Sequence, residues 1–427
     1  MAQVFPFAGY RYNPDQVEDI DQVVTQPYDK INDLEQEKYY QASPYNIVRL
    51  ILGKGEGAKD KYEMAANYLK DWVNDEVLIQ DQEPGFYAYC QEYETESGTK
   101  TRIGFVGLGK IEGEEGVKAH EETLEGPKAD RLNLIRATEA NFGHIFMLYS
   151  DKERKIIKAL DQVISERKPL ISVTDKDQNL HKLWPIKDQE LIDLIKEQMQ
   201  DKKLYIADGH HRYQTALNYR NECRQKGYSG DFDKRMMTFV NINDPGLTIL
   251  ATHRLVYGLD DFDSAEFLEQ VQEVFEVTEF ANKEEMYHKL DQKGKHIFGY
   301  KSKDDNMYYT LTLKDDSIMD QLITEHSQKW RNLDVAILHQ ALLNKYLGID
   351  EEALAEKRNL DYIRYRDQAL DQLDTDDYQA AFILNPTQVE EVKEVADNGE
   401  RMPQKSTDFY PKLLTGLVLH KLTVNKN

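Results

Sequence analysis

The chain has 427 residues, 40% of them hydrophobic and 31% charged, with a mean hydropathy of −0.71. That length predicts two or three domains, and that composition belongs to a folded chain rather than a disordered one. A formal charge of −23 argues against nucleic acid as a partner, since such binding depends on cations displacing phosphate counterions, and it means that an anionic substrate needs a local cationic pocket.

Cys90 and Cys223 are the two cysteines, far apart and outside any Cys-x-x-Cys spacing, so neither a disulfide framework nor a thiolate zinc site is indicated. The N-terminal Met1-Ala2-Gln3-Val4-Phe5-Pro6 lacks a leader pattern, and no apolar run reaches membrane-spanning length. The expectation is a cytoplasmic protein with no membrane partner.

Near the start, Thr25 to Asp29 and Ser43 to Leu50 read as ordered turns beside strands, in which Asp29, Asn46 and Arg49 either reach a site or, the favoured reading, brace the backbone. Apolar residues recur at helical spacing over 59–77, and Phe86 to Cys90 with Ile103 to Leu108 predict a hairpin turning at Ser97-Gly98. Helices are predicted over 128–140, 152–166 and 187–200, and a strand over Ile145 to Tyr149. Leu204-Tyr205-Ile206-Ala207 reads as a buried strand, Asp208-Gly209 as a turn, the following residues to about Arg224 as a helix, and Met237 to Ile242 as a second strand. This alternation predicts a mixed α/β (α+β) fold.

Residues 259–295 are acidic and helical in pattern, and a domain change is placed there, giving regions 1–258 and 259–427. A hairpin follows, Ile297 to Tyr300 with Tyr308 to Leu311, then a strand Ala381 to Leu384. Thr387-Gln388-Val389-Glu390 reads as a capping box opening a helix that stops at Asn398-Gly399.

The chemistry concentrates in Ala207-Asp208-Gly209-His210-His211-Arg212, where a strand ends, glycine permits a tight bend, and a helix begins with its amides and positive dipole end exposed. Asp208 can orient a substrate group or a metal, His210 and His211 can contact phosphate or transfer a proton, and Arg212 can bond phosphoryl oxygens in pairs. The competing reading is structural: Asp208 caps the helix, Gly209 serves the turn, and the other side chains satisfy backbone carbonyls.

Two further clusters stand out. Lys118 to Thr123 places His120 beside Glu121, a candidate general base, with Arg131 and Arg136 downstream as anion clamps; a solvated acidic helix entrance explains the same pattern. Arg401 to Lys412 crowds cations and hydroxyls into a loop, where Lys405, Ser406, Thr407 and Lys412 can bind an anion; a solvated connection is the alternative. No P-loop, dinucleotide-binding, nucleophile-elbow or zincin motif occurs.

These residues carry a resemblance. Phe5-Pro6-Phe7, Pro27-Tyr28-Asp29, Tyr45 to Leu50, His120 to Thr123, Arg136-Ala137-Thr138, Ala207 to Tyr213, Thr252-His253-Arg254 and Met402 to Thr407 resemble the bacterial and archaeal family known as domain of unknown function 1015. Within it, Asp208 to Arg212 is similar to a phosphate motif of free serine kinases with a ParB/sulfiredoxin-like fold.

What that resemblance implies is such a core over about 101–258, extended by α/β regions at both ends, and a kinase moving phosphate from ATP or ADP, with Mg2+, to free L-serine or a similar hydroxylated metabolite. Glu121 looks most like the catalytic base. Asp208 would orient magnesium or the serine amine, and Gly209, His210, His211 and Arg212 would hold the terminal phosphate, with Lys405, Ser406 and Thr407 as further binding residues. A homodimer is compatible, the acidic region after 259 being a lid, a dimer surface or scaffold. The competing functions are a metal-dependent hydrolase or phosphatase using His120, Glu121, Asp208, His210 and His211, and a nucleotide-binding regulator without catalysis.

Overall fold

The computed structural model describes residues 2–57, 59–95, 98–112, 117–118, 125–356, 358–375 and 377–426. The chain is mixed α/β and divides into two compact units. The first comprises Met1–Ala119, Thr123–Thr248 and Pro411–Asn427, and the second is built on Ile249–Tyr410.

The first unit is organised on a nine-stranded sheet. Its order runs Val117–Lys118, Leu204–Asp208, Ile145–Tyr149, Lys234–Asn241, Gly98–Lys110, Phe86–Thr95, Leu180–Ile186, Ile171–Thr174, with Val4–Phe5 alongside Gly98–Lys110. The central hairpin pairs Tyr87 with Val106 through Thr95 with Gly98. Phe86–Cys90 and Ile103–Gly109 are buried at successive positions, so both faces of the hairpin are covered there.

One face packs Phe86, Phe105, Met147, Ile206 and Phe239 into a single cluster with Ile157 and Leu160 of the helix Lys155–Glu166 and Ile195 of the helix Gln189–Met199. Each of these helices presents one apolar stripe to the sheet, as its spacing requires. The predicted strand–helix–strand segment is present as Leu204–Asp208, His210–Gln225 and Lys234–Asn241. Its two strands are not neighbours, since Ile145–Tyr149 lies between them, antiparallel to the first and parallel to the second.

The last seventeen residues or so thread back over this unit. Thr415 exchanges backbone hydrogen bonds with Thr25, Leu419 with Tyr10, and His420–Lys421 pairs with Ala140–Asn141. The start of the returning segment is gripped from below by the sheet. Gln91 Nε2 donates to the Lys412 carbonyl at 3.1 Å, the Arg102 guanidinium donates to the Pro411 carbonyl, and the Leu414 N–H donates to the Tyr89 hydroxyl at 3.3 Å. Tyr89 is itself held by His181, which faces Asp175 at 3.0 Å.

The second unit carries a six-stranded antiparallel sheet in the order Phe275–Phe280, Tyr308–Leu313, Ile297–Ser302, Tyr378–Ile383, His253–Tyr257, Leu360–Ile363. The helices Lys283–Lys293 and Arg366–Thr375 pack Met286, Leu290, Ala369, Leu370 and Leu373 against Leu255, Ala381 and Ile383.

Four local expectations change. Residues 259–295 are not helical throughout: Phe275–Phe280 is a strand at one end of the sheet, and its exposed residues, Glu276 and Glu279, are three apart, which gives it the acidic look of a surface helix. The helix Val389–Asp397 is boxed by Gln388, whose N–H donates to the Glu391 carboxylate, while the Thr387 hydroxyl donates instead to the Ser406 carbonyl. Val48–Ile51 is a helical turn rather than a strand flank, begun by Asn46 Oδ1 accepting from the Val48 N–H. The stretch 401–412 is not loop alone, since Asp408–Tyr410 is a strand.

Gln91 is almost fully buried, and its Oε1 accepts from Arg102 Nε at 3.0 Å, so it satisfies a buried cation and ties down the Lys412 carbonyl together. Gln91→Leu is expected to lower stability by about 2–3 kcal/mol in urea unfolding, because a charged donor loses its acceptor in the interior. It should also speed proteolytic clipping at 411–414. Unchanged stability would mean that the grip is incidental.

Candidate functional site

The strand Leu204–Asp208 ends on Asp208, and the helix His210–Gln225 starts two residues later. Between them Gly209 has φ +94°, a conformation that costs glycine little and other residues more. A methyl group there would also stand 3.0 Å from Arg212 Nε, so glycine suits the bend and spares the guanidinium a small displacement.

The structure separates the two sequence readings of Asp208. It is not a helix cap: Gly209 occupies that position, no side chain caps the helix, and Asp208 Oδ1 accepts from the adjacent Gly209 N–H at 2.9 Å. Its Oδ2 lies 3.3 Å from Arg212 and 3.9 Å from Lys412 Nζ. Burial alone would raise the Asp208 pKa, but the charges of Lys412, Arg212, Lys30 and His210 outweigh it and hold the carboxyl well below the usual range.

Arg212 is buried and braced from the other side, where its guanidinium donates to the His144 carbonyl. The His144 ring sits against Thr238 at 2.7 Å, and burial, then the charge of Arg212, pushes its pKa down to about 3, so it is neutral. His210 is buried and His211 partly so, both in the first turn of the helix.

Beside Arg212 is a small cavity. Its polar lining is Tyr28, Arg131, Arg212, Thr215, Arg235 and Thr415, set among apolar residues such as Phe142. Arg131 lies over the Tyr28 ring at 4.1 Å and pairs with Asp130. The sequence pointed to Arg131 as an anion clamp, whereas Arg136, offered with it, is half exposed and paired with Glu222 at the surface. Arg235, Thr215 and Tyr28 were not singled out. Arg235 left one signal, a cation in the first positions of an otherwise apolar strand; Tyr28 stood in the Pro27-Tyr28-Asp29 motif without a role of its own, and Thr215 left no signal.

The remaining candidates are distributed differently. Lys405, Ser406 and Thr407 belong to the second unit, and Lys412 to the first. Ser406 is buried and its hydroxyl donates to the Pro403 carbonyl at 2.6 Å, while the Lys405 carbonyl accepts from Arg254. His120 and Glu121 lie outside the described residues.

Asp208 offers a metal one carboxylate whose oxygens already face an N–H and two cations. Among the described residues no group of three or more His, Cys, Asp or Glu side chains could hold an ion. These residues do not fit a resident magnesium site. Among the described residues no helix is long and apolar enough to cross a membrane.

A family model described as a protein of unknown function (DUF1015) matches residues 4–336. The chain belongs to the DUF1015 family. No curated protein matches it. Among solved structures it is similar to a conserved hypothetical protein from Pyrococcus furiosus at 14% identity and a TM-score of 0.35, covering 73% of this chain and 93% of that one. It is also similar to a free serine kinase in complex with AMP, at 14% identity and a TM-score of 0.36, covering 71% and 90%. A third is SbnI with C-terminal truncation from Staphylococcus aureus, at 12% identity and a TM-score of 0.34, covering 73% and 85%. Likenesses this remote carry no argument about activity in this DUF1015 chain.

Asp208 has a depressed folded-state pKa, so its stabilisation is complete above the ordinary carboxylate value and is lost as pH falls through the depressed one. Asp208→Asn is expected to be less stable than wild type by about 2 kcal/mol at pH 7 in urea unfolding. The gap should narrow below about pH 4, where the unfolded carboxyl takes up its proton. A gap that stays constant down to pH 2–3 would refute the electrostatic origin.

Proposed function

We propose that this protein is a small-molecule kinase that transfers a phosphoryl group from ATP or ADP to the hydroxyl of free L-serine or a similar metabolite. The observation that carries the reading is the glycine bend at 209, which sets the first turn of a helix beside a guanidinium and an ammonium that share one ionised carboxylate. The serine-kinase part of the reading rests on the likeness of Asp208 to Arg212 to the motif of those kinases.

Phosphoryl transfer demands positioning and charge neutralisation more than covalent help from the protein. Arg212 is pre-set by Asp208 and the His144 carbonyl, so little side-chain freedom is lost when it meets a phosphoryl oxygen. Lys412 supplies a second positive charge, and His210 and His211 stand in the same first turn to contact the terminal phosphate. Asp208 acts as the anchor that keeps the cations in place. Magnesium enters as part of the nucleotide complex rather than as a resident ion.

In the reaction the acceptor oxygen bonds to the terminal phosphorus, the bond to the leaving nucleotide breaks, and Glu121 takes the hydroxyl proton. The full-length protein incubated with L-serine, magnesium and ATP or ADP is expected to form O-phosphoserine, read by mass spectrometry. Arg212→Met is expected to lower turnover by about 100-fold or more, the usual effect of losing one transition-state donor. No phosphorylated product from L-serine or from a panel of hydroxylated metabolites, with either donor, would end the proposal. Turnover unchanged in Glu121→Gln while Asp208→Asn abolishes it would remove Glu121 from the base role alone.

A further inference from the structure

Inside the first unit, the cavity beside Arg212 holds more positive charge than the groups around it offset. Arg131 has Asp130 as its partner, and Arg212 shares Asp208 with Lys412. Arg235 is 9% exposed, and its guanidinium makes no hydrogen bond or ion pair among the described residues; its Nε is buried and unsatisfied. Thr215 lines the same cavity, and its buried hydroxyl is unsatisfied as well.

A buried cation without a counter-charge is costly, as is a buried hydroxyl without a partner, and the two occur together on one cavity. Burial, then repulsion from Arg212 and Arg131, lowers the Arg235 pKa to about 9, so the group remains a cation at neutral pH. An oxyanion in the cavity removes both costs: it offers lone pairs to the guanidinium and to the hydroxyl, and negative charge to all three arginines.

We propose that Arg235, Arg131, Arg212 and Thr215 form an oxyanion subsite that takes the carboxylate or phosphate end of a small metabolite. Apolar residues stand among its cations, a lining that suits a short carbon skeleton attached to the charged end. Arg131, stacked on Tyr28, and Arg212, braced by the His144 carbonyl, are held in position, which leaves Arg235 as the guanidinium with the most to gain. The subsite stands on this geometry and does not require the kinase reading.

The test is binding to the full chain without any nucleotide. Inorganic phosphate and L-serine are titrated separately by calorimetry at low ionic strength, and each is also followed by thermal melting. At least one is expected to bind and to raise the melting temperature; phosphate alone identifies a phosphate end, and L-serine alone a carboxylate end. Arg235→Met is expected to weaken that binding by about tenfold or more while melting, ligand-free, no lower than wild type, since an unpaired interior charge has been removed.

Thr215→Val, a near-isosteric change, is expected to weaken the same binding severalfold. Failure of both probes to bind wild type would overturn the subsite. So would undiminished binding by both variants, or collapse of Arg235→Met, which marks an arginine with a structural role. Absence of phosphotransfer with binding intact would sink the kinase and leave the subsite standing.

Discussion

A carboxylate taken partly out of water stays ionised only where cations stand close enough to offset its lost hydration, and at Asp208 two of them do. Much of the site follows from that one balance. Arg212 is drawn back across its own helix turn toward Asp208, an approach that would crowd a side chain at 209. Lys412 comes from about two hundred residues further along the chain, so the charge balance also fixes where the returning C-terminal segment begins.

That segment is held by the sheet as well as by charge. Gln91, Arg102 and Tyr89 lie on the paired strands of the central hairpin, and each bonds the backbone of 411–414. A hydrogen-bonded run from Asp175 through His181 to Tyr89 stiffens this support from the neighbouring strand. The polar groups inside the first unit thus serve to locate a lysine and an arginine, and the apolar face of the same sheet supplies the cohesion that makes this polar interior affordable in stability terms.

The distribution of cations sets the interior of the first unit apart from the acidic composition of the whole chain. The surface as a whole repels negative ligands, while the cavity gathers Arg131, Arg212 and Arg235 within a low-dielectric wall where each charge counts for more. For the proposed oxyanion, selectivity would come from fit and from complete neutralisation inside the cavity. Long-range attraction contributes little, so recognition depends on short-range geometry that small displacements of Arg212 or Arg235 would alter.

The sequence alone determined the local elements whose signal is local. The hairpin of Phe86–Thr95 and Gly98–Lys110, the strand Ile145–Tyr149 and the helices Lys155–Glu166 and Gln189–Met199 are legible because apolar spacing and turn residues depend on near neighbours. So is the bend at Gly209, since a strand, a glycine and a helix follow one another directly. The edge strand Phe275–Phe280 was hidden because its exposed acidic residues mimic a helix surface. Only the tertiary structure decided that Ile145–Tyr149 separates the two strands flanking the motif, that Lys412 meets Asp208, and that Arg235 and Thr215 share a cavity with Arg212. Those contacts join residues far apart along the chain through burial and charge, and neither leaves a periodic trace in the order of amino acids.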